Sequence, residues 1–465
     1  MKKSIMSLAG ISFAAGAVVS NTEAQTERPN IIILLADDLG YADLGVTGVT
    51  DAKTPNIDAL FAGGIQFKEA YVQYPACGPS RASIMTGRHH LRFGFAGNPD
   101  HVVPTAPGNL LGLPLEEITL ADAMKARGYA TGMTGKWHLG HQRPNHPMNR
   151  GFDEFYGFLG SLYRYFDLGN MQVPNSMMRG FDRIHEKEYQ TDAIAREAVA
   201  FINRHKKEPF FLYVPFGAVH TPLMFDQNPG NASIPLNGTG DKVVDRKMLV
   251  NMIEGLDRAV GTIMEKLKTG GLDKNTLVFF LSDNGGPEAT GVYNNGILRG
   301  YKGTLFEGGI RVPMAVYWPG KIPAGQVYSH PVLATDMFAT SVELAGGALA
   351  ADREYDSKNL MPVLSGKMSE PLHAGESFFW NALGMQAVRK GDWKLVMRNL
   401  NVIGLYNISA DPAEQNNQAA ANPERVQELR SEFDTWQAAL PPAKYVWVGP
   451  EKFAEWTKEN GPLWK

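Results

Sequence analysis

The chain has 465 residues, 44% of them apolar and 20% charged, with a formal net charge of -3. That composition suits a folded protein with one large core and a smaller second unit, and it excludes a disordered chain. The near-neutral charge leaves no footprint for nucleic acid and no polybasic membrane anchor, so an anionic ligand must be held by a local cluster of Lys, Arg and His.

Residues 1–24 read as a signal peptide: Lys2 and Lys3 precede a short apolar stretch from Ile5 to Val19, and Thr22-Glu23-Ala24 offers small side chains for cleavage. The stretch is shorter than the ~20 residues a bilayer span needs, and no later run approaches that length. The expectation is an exported protein, periplasmic or secreted, with no membrane anchor. Its single cysteine, Cys77, can form no internal disulfide. A lone cysteine is commonly a small buried hydrophobe, but its neighbours here argue otherwise.

Asn30 to Ala36 is a continuous apolar run that ends in Asp37-Asp38-Leu39-Gly40, as a strand covered on both faces would. Next comes Pro75-Ala-Cys77-Gly-Pro79-Ser80-Arg81 through Gly87 and Arg88. Pro79 and Ser80 suit a helix start and Gly87 a helix end, so Cys77 should lie where the helix N-terminus favours an anion. Gly135-Lys136-Trp137-His138-Leu139-Gly140 follows, and in an extended segment Lys136 and His138 would point the same way. A helix is expected from near Thr191, with Ile194, Ala198, Phe201 and Ile202 on one face. Phe210 to Val214 reads as a buried strand leading to a loop with His220. Ile253, Leu256, Val260, Ile263 and Leu267 mark a further helix closed by Gly270 and Gly271. Thr276 to Leu281 repeats the strand grammar and ends in Ser282-Asp283-Asn284-Gly285.

Strands alternating with helices predict an α/β fold with a large central, mostly parallel sheet flanked by helices. In such sheets ligands gather beyond the carboxyl ends of the strands, where all three polar clusters fall. After about residue 370 the pattern changes to short strands at Ser377–Trp380, Gln386–Arg389 and Trp393–Val396, then a helix over Pro423 to Leu440. This predicts a catalytic unit over 28–368 and a smaller C-terminal subdomain, an antiparallel sheet plus helix, over 369–465.

Asp37, Asp38, Asp283 and Asn284 offer only hard oxygens, which favours Ca²⁺ or Mg²⁺ over zinc. Either pair alone would be an ordinary turn or helix cap; two pairs at like strand ends are not. In sequence, no histidine sits among these ligands.

Cys77-Gly-Pro79-Ser80-Arg81 resembles the recognition sequence by which type I sulfatases, of the alkaline phosphatase superfamily, have their cysteine oxidised to formylglycine. The resemblance extends to the Asp37-Asp38 opening, the Gly135 to Gly140 segment, Asp283-Asn284-Gly285, Lys302 to Arg311 and Leu405-Tyr406-Asn407. It implies calcium held by Asp37, Asp38, Asp283, Asn284 and the oxidised Cys77, and a maturation enzyme as partner during synthesis. The aldehyde hydrate carries two hydroxyls: one attacks sulfur, and deprotonation of the other expels sulfate, an exit a serine lacks. By the same resemblance Arg81 holds the hydrate, Lys136 and Lys302 bind sulfate oxygens, His138 takes the proton that re-forms the aldehyde, and His220 protonates or orients the leaving oxygen. For His220 alone, a satisfied loop histidine would be the ordinary explanation.

The same blocks look most like polysaccharide sulfatases, which implies a sulfated oligosaccharide or polysaccharide substrate. The specific expectation is a galactose sulfate, at O4, on the end of a carrageenan-type oligosaccharide. Asn98 and His101, in the stretch from Arg92 to Pro114, are candidate sugar contacts. Arg164 and Arg179 are candidates for additional sulfates, or plain surface cations. His89 and His90 read as a solvated helix end, and the Trp and Tyr residues after Pro441 as packing for the second domain. The alternatives are an N-acetylgalactosamine sulfatase, a phosphoester or phosphonate hydrolase of the same superfamily, and a noncatalytic binder of sulfated glycans.

Overall fold

A computed structural model describes residues 28–106, 110–161, 164–167, 175–227, 238–287 and 291–460. The expected signal peptide lies outside the described residues, and so does the side chain of His101. Among the described residues no helix is long and apolar enough to cross a membrane.

The strand Asn30–Ala36 is buried along its whole length. It pairs in parallel with Phe210–Pro215 on one side and with Thr276–Ser282 on the other. Its side chains alternate between two apolar clusters, because successive residues of a strand face opposite sides. Ile32 and Leu34 join Ile253, Leu256 and Val260 of the helix Lys242–Thr269. Ile31, Ile33 and Leu35 join Ile84 and Met85 of the helix Cys77–Thr86 and Phe338 of the helix Asp336–Leu344. This double burial explains the unbroken apolar run, each such side chain contributing about 1.5–3 kcal/mol.

The sheet runs Gln326–Tyr328, Ile65–Tyr71, Arg311–Tyr317, Thr276–Ser282, Asn30–Ala36, Phe210–Pro215, Ala130–Lys136, Glu154–Phe158, Met178–Arg179, Asp182–Arg183, and an eleventh strand, Val332–Leu333, also pairs with Ile65–Tyr71. Its centre is parallel, as expected; Arg311–Tyr317 runs antiparallel to both neighbours. Parallel strands end at one edge, so Asp37, Lys136 and Asp283 emerge together there.

Strands Ser377–Ala382, Met385–Lys390, Trp393–Arg398 and Asn401–Asn407 form a separate antiparallel meander. The helix Pro423–Ala438 covers one face, seating Leu429, Phe433 and Trp436 on Val388, Leu395 and Met397. The tail then leaves this sheet. Tyr445–Trp447 pairs antiparallel with Val102–Pro104, and Tyr445 packs edge-on against Phe95 with its hydroxyl on the Gly112 carbonyl. Tyr445 thus braces the loop after the motif helix instead of packing the small domain. Backbone pairing across the two units decided this, which residue type could not reveal.

A buried ionic joint connects the small sheet to the segment carrying Lys302. Lys394 Nζ lies 2.8 Å from Glu307 Oε1 and 3.0 Å from Glu414 Oε1, all three side chains fully buried. Glu414 also accepts the Glu307 backbone N–H at 2.7 Å. Lys394→Met should cost about 3–5 kcal/mol, because two buried carboxylates lose their shared cation. Chemical denaturation checks this, and a cost below about 1 kcal/mol, the range of a surface pair, would contradict it.

Candidate active site

The motif forms the helix Cys77–Thr86, buried over all ten residues. Gly87 ends it at φ 67, a left-handed cap that glycine adopts without a Cβ penalty. A Cβ there would also stand 2.7 Å from the Phe338 ring. Ala76 offers no side-chain cap. Asn98 supplies one from the following loop: its Oδ1 accepts the Gly78 N–H at 2.9 Å. Asn98, expected to touch sugar, thus ties the loop over the helix N-terminus.

Cys77 Sγ lies 3.3 Å from Asp37 Oδ1 and is 1% exposed. Burial and the Asp37 charge push its thiol well above the ordinary range, so the unmodified side chain is no thiolate. Arg81, fully buried, spans the strand ends: Nε donates to Asp283 Oδ2 at 2.8 Å, Nη1 to the Lys136 carbonyl at 2.9 Å, and Nη2 lies 3.6 Å from Asp37. Lys136 Nζ pairs with Asp37, and Lys302 Nζ with Asp38 at 2.7 Å. Asn284 Nδ2 donates to Asp38 Oδ1 at 2.7 Å, while Asn284 Oδ1 is buried without a partner. Asp38 takes a left-handed backbone at φ 62, a strained conformation for a non-glycine residue. Gly285 allows close passage of the next segment, since a Cβ there would meet the Gly308 carbonyl at 1.8 Å.

The carboxylates do not titrate alike. Burial opposes charge on Asp37, but Lys136, His220, Arg81 and Lys302 outweigh it and hold the carboxyl far below the usual range. Asp283 is pushed up by burial and by the Asp37 charge, against Arg81. Such crowded negative charge suits a cation. The oxygens of Asp37, Asp38 and Asp283, with the orphaned Asn284 Oδ1, form a hard donor set that fits Ca²⁺ or Mg²⁺.

His220 corrects a point of the sequence reading. Its Nε2 lies 3.5 Å from Asp38 Oδ2, and Asp37, Asp38, Cys77 and His220 could together hold a metal ion. A histidine therefore does stand among the carboxylates, because the loop after Phe210–Pro215 folds across the neighbouring strand end. Its Nδ1 lies 2.6 Å from the Thr221 carbonyl, which requires the proton on Nδ1 and leaves Nε2 bare when neutral. Burial and Lys302 lower this imidazole to about 4. Tyr165, to which the sequence attached no role, pins this loop with its hydroxyl 2.7 Å from the Gly217 and His220 carbonyls.

His138 is fully buried at φ 57, so the chain turns out of the strand there and the extended geometry expected for Lys136 and His138 ends at Lys136. Its Nε2 lies 3.3 Å from Asp100 Oδ2, and His141 Nε2 lies 2.9 Å from Asp100 Oδ1. Asp100 and His141 went unnoticed in the sequence; His141 follows the Gly135 to Gly140 segment and Asp100 lies in the stretch after the motif helix, but nothing local pairs them.

Other expectations fall elsewhere. Arg179 is held bidentately by Glu197 at 2.7 and 2.8 Å, over the Tyr156 ring, near the sheet edge. Arg164 is partly buried beside Tyr165. His89 and His90 are buried, not solvated: they stack on each other, with His89 Nε2 3.1 Å from the Phe379 carbonyl and its ring edge-on to Trp436. They pack the motif helix against the small sheet.

The sulfatase family matches residues 29–348, and the C-terminal family of N-sulphoglucosamine sulphohydrolase matches residues 301–438. N-acetylgalactosamine-6-sulfatase of Canis lupus familiaris is 34% identical over 414 residues, covering 84% of this chain and 74% of the relative. The Homo sapiens enzyme of that name is 35% identical over 392 residues, covering 79% and 72%. Among solved structures, Ps i-CgsB is 35% identical with a TM-score of 0.82 over 94% of this chain and 98% of that one. Its complex with k-i-k-neocarrahexaose is 34% identical with a TM-score of 0.81 over the same shares.

Proposed function

Since this chain belongs to the sulfatase family, and is a sulfuric ester hydrolase, we propose that it removes a galactose sulfate, at O4, from the end of a carrageenan-type oligosaccharide. The observation that carries the substrate class is the end-to-end likeness to Ps i-CgsB, a protein solved with a neocarrahexaose. The likeness to N-acetylgalactosamine-6-sulfatases favours a second reading, a galactosamine sulfate of glycosaminoglycan fragments.

In this reading Cys77 is matured to formylglycine, whose hydrate supplies one hydroxyl to attack sulfur and a second to release it. The motif helix is buried throughout, so a maturation enzyme must reach Cys77 before that helix packs. Asp37, Asp38, Asp283 and Asn284 would hold calcium, which when bound would supply positive charge for the nucleophile and the sulfate. Arg81 fixes Asp37 and Asp283 against the helix that carries residue 77. Lys136 and Lys302 bear positive charge toward the sulfate, whose negative charge spreads over peripheral oxygens as bonding changes. Lys302 stays protonated, since the charges of Asp38 and Asp37 outweigh the burial that opposes it. His220 must take up a proton at Nε2, bare in the resting site, before it can protonate or orient the leaving oxygen, and His138 accepts a proton when the aldehyde re-forms. Residues 1–24, leader-like, support export to where such polymers are met.

Sulfate release should be measured from carrageenan oligosaccharides, chondroitin and keratan fragments, and an aryl sulfate. Turnover of the carrageenan pieces, with the product losing O4 sulfate, is expected. Turnover of glycosaminoglycan fragments with none on carrageenan would replace the substrate and leave the chemistry standing.

A further inference from the structure

Asp100 lies outside every motif that carries the family resemblance, yet it is the acidic group that faces the two buried imidazoles beside the site. Its Oδ2 lies 3.3 Å from His138 Nε2, and its Oδ1 lies 2.9 Å from His141 Nε2. The backbone N–H of Ser161 also donates to Oδ2, at 3.2 Å, which helps to fix the carboxylate. His138 and His141 side chains are 0% and 2% exposed, and that of Asp100 is 17% exposed. All four imidazole nitrogens of His138 and His141 are buried without a completed hydrogen bond. By distance these are ion-pair contacts, and a small ring rotation would align either N–H with the carboxylate. Apo sites often hold catalytic contacts this loosely.

A carboxylate at Nε2 determines which ring nitrogen carries the proton. With Nε2–H turned to Asp100, His138 Nδ1 is left with a lone pair and no competing partner. We propose that Asp100 is a positioning residue for the sulfatase reaction, holding His138 in the tautomer whose Nδ1 accepts a proton and stabilising the imidazolium that results. This rests on His138 being the base of the proposed function. In that step the remaining hydroxyl of residue 77 loses its proton to His138 Nδ1. The O–H electron pair becomes the carbonyl π bond, and the C–O bond to sulfate breaks with its electron pair leaving on the sulfate oxygen. His141 shares the carboxylate and keeps it in place when His138 is neutral.

Asp100 has the charge this role needs. Burial opposes its ionisation, but His141 and His138 outweigh burial and hold the carboxyl well below the usual range. Burial lowers His138 to about 3 in the resting site, despite Asp100, so it waits as the neutral base.

The test compares wild type, Asp100→Asn and Asp100→Glu, each with Cys77 conversion checked by mass. With aryl sulfates of graded leaving-group acidity, Asp100→Asn should lower kcat ~100-fold, the scale of lost acid–base assistance, without raising KM. Phenol should appear in a stoichiometric burst before a slow steady rate that no longer depends on the leaving group, because only sulfate expulsion is slowed. Asp100→Glu should restore part of kcat. Independently of turnover, ¹H–¹⁵N spectra of histidine-labelled wild type should show His138 protonated at Nε2 and bare at Nδ1, with that preference lost in Asp100→Asn. An Nδ1-protonated His138 in wild type overturns the proposal, and so does unchanged kcat or a rise in KM alone. A wild type that converts Cys77 yet releases no sulfate from any ester refutes the proposed function instead, while the histidine spectra still decide the role of Asp100.

Discussion

Cys77→Ser protein should bind its substrate and release no measurable sulfate, a loss on the order of 10³-fold or more. Serine matches cysteine in size, so the buried helix start and its contact with Asp37 should survive. What it lacks is a second hydroxyl on the same carbon, and with it a route out of the sulfate ester. The unmodified thiol is no substitute, because burial and Asp37 hold it protonated. Mass analysis of the wild-type peptide supplies the companion measurement: conversion to formylglycine lowers the residue mass by ~18 Da. Sulfate release by the serine protein at the wild-type rate would refute the mechanism. Substrate binding by that variant, measured by calorimetry, separates lost chemistry from lost fold.

The second large effect concerns the metal. Asp283→Asn should reduce activity by at least about 100-fold, the upper range seen when a partner of a metal site is removed. Asparagine is preferable to alanine here because Arg81 Nε donates to Asp283 Oδ2, and Asn keeps an acceptor for that buried guanidinium. Stripping calcium should lower the melting temperature of wild type, and adding it at ~100 times its dissociation constant should restore about 2.7 kcal/mol. That gain should shrink in the variant, which presents one carboxylate fewer. Unchanged activity and melting temperature after prolonged chelation would rule out the calcium site. A long incubation is needed because Asp37, Asp38 and Asp283 are 0–1% exposed, so release will be slow.

Much of this was readable from the chain alone. The apolar runs at Asn30 to Ala36 and Thr276 to Leu281 identified buried parallel strands, and a strand has to stop where its apolar residues do. That alone puts Asp37-Asp38 and Asp283-Asn284 at one sheet edge. The punctuation of Pro79 and Gly87 likewise delimited the motif helix, because its ends are local matters of φ and of unsatisfied N–H groups.

Tertiary structure decided which side chains meet across loops. His220 reaches Asp38, Tyr165 pins the His220 loop, and Asp100 stands between His138 and His141. His89 is buried against Trp436 with His90 stacked on it, and Arg179 is held by Glu197. None of these pairings leaves a periodic trace, since each joins residues from separate connections. Strand and helix positions follow from burial repeated along a few residues, which composition records. A loop contact follows from where two independent backbones cross, and only the packed sheet with its covering helices fixes that crossing.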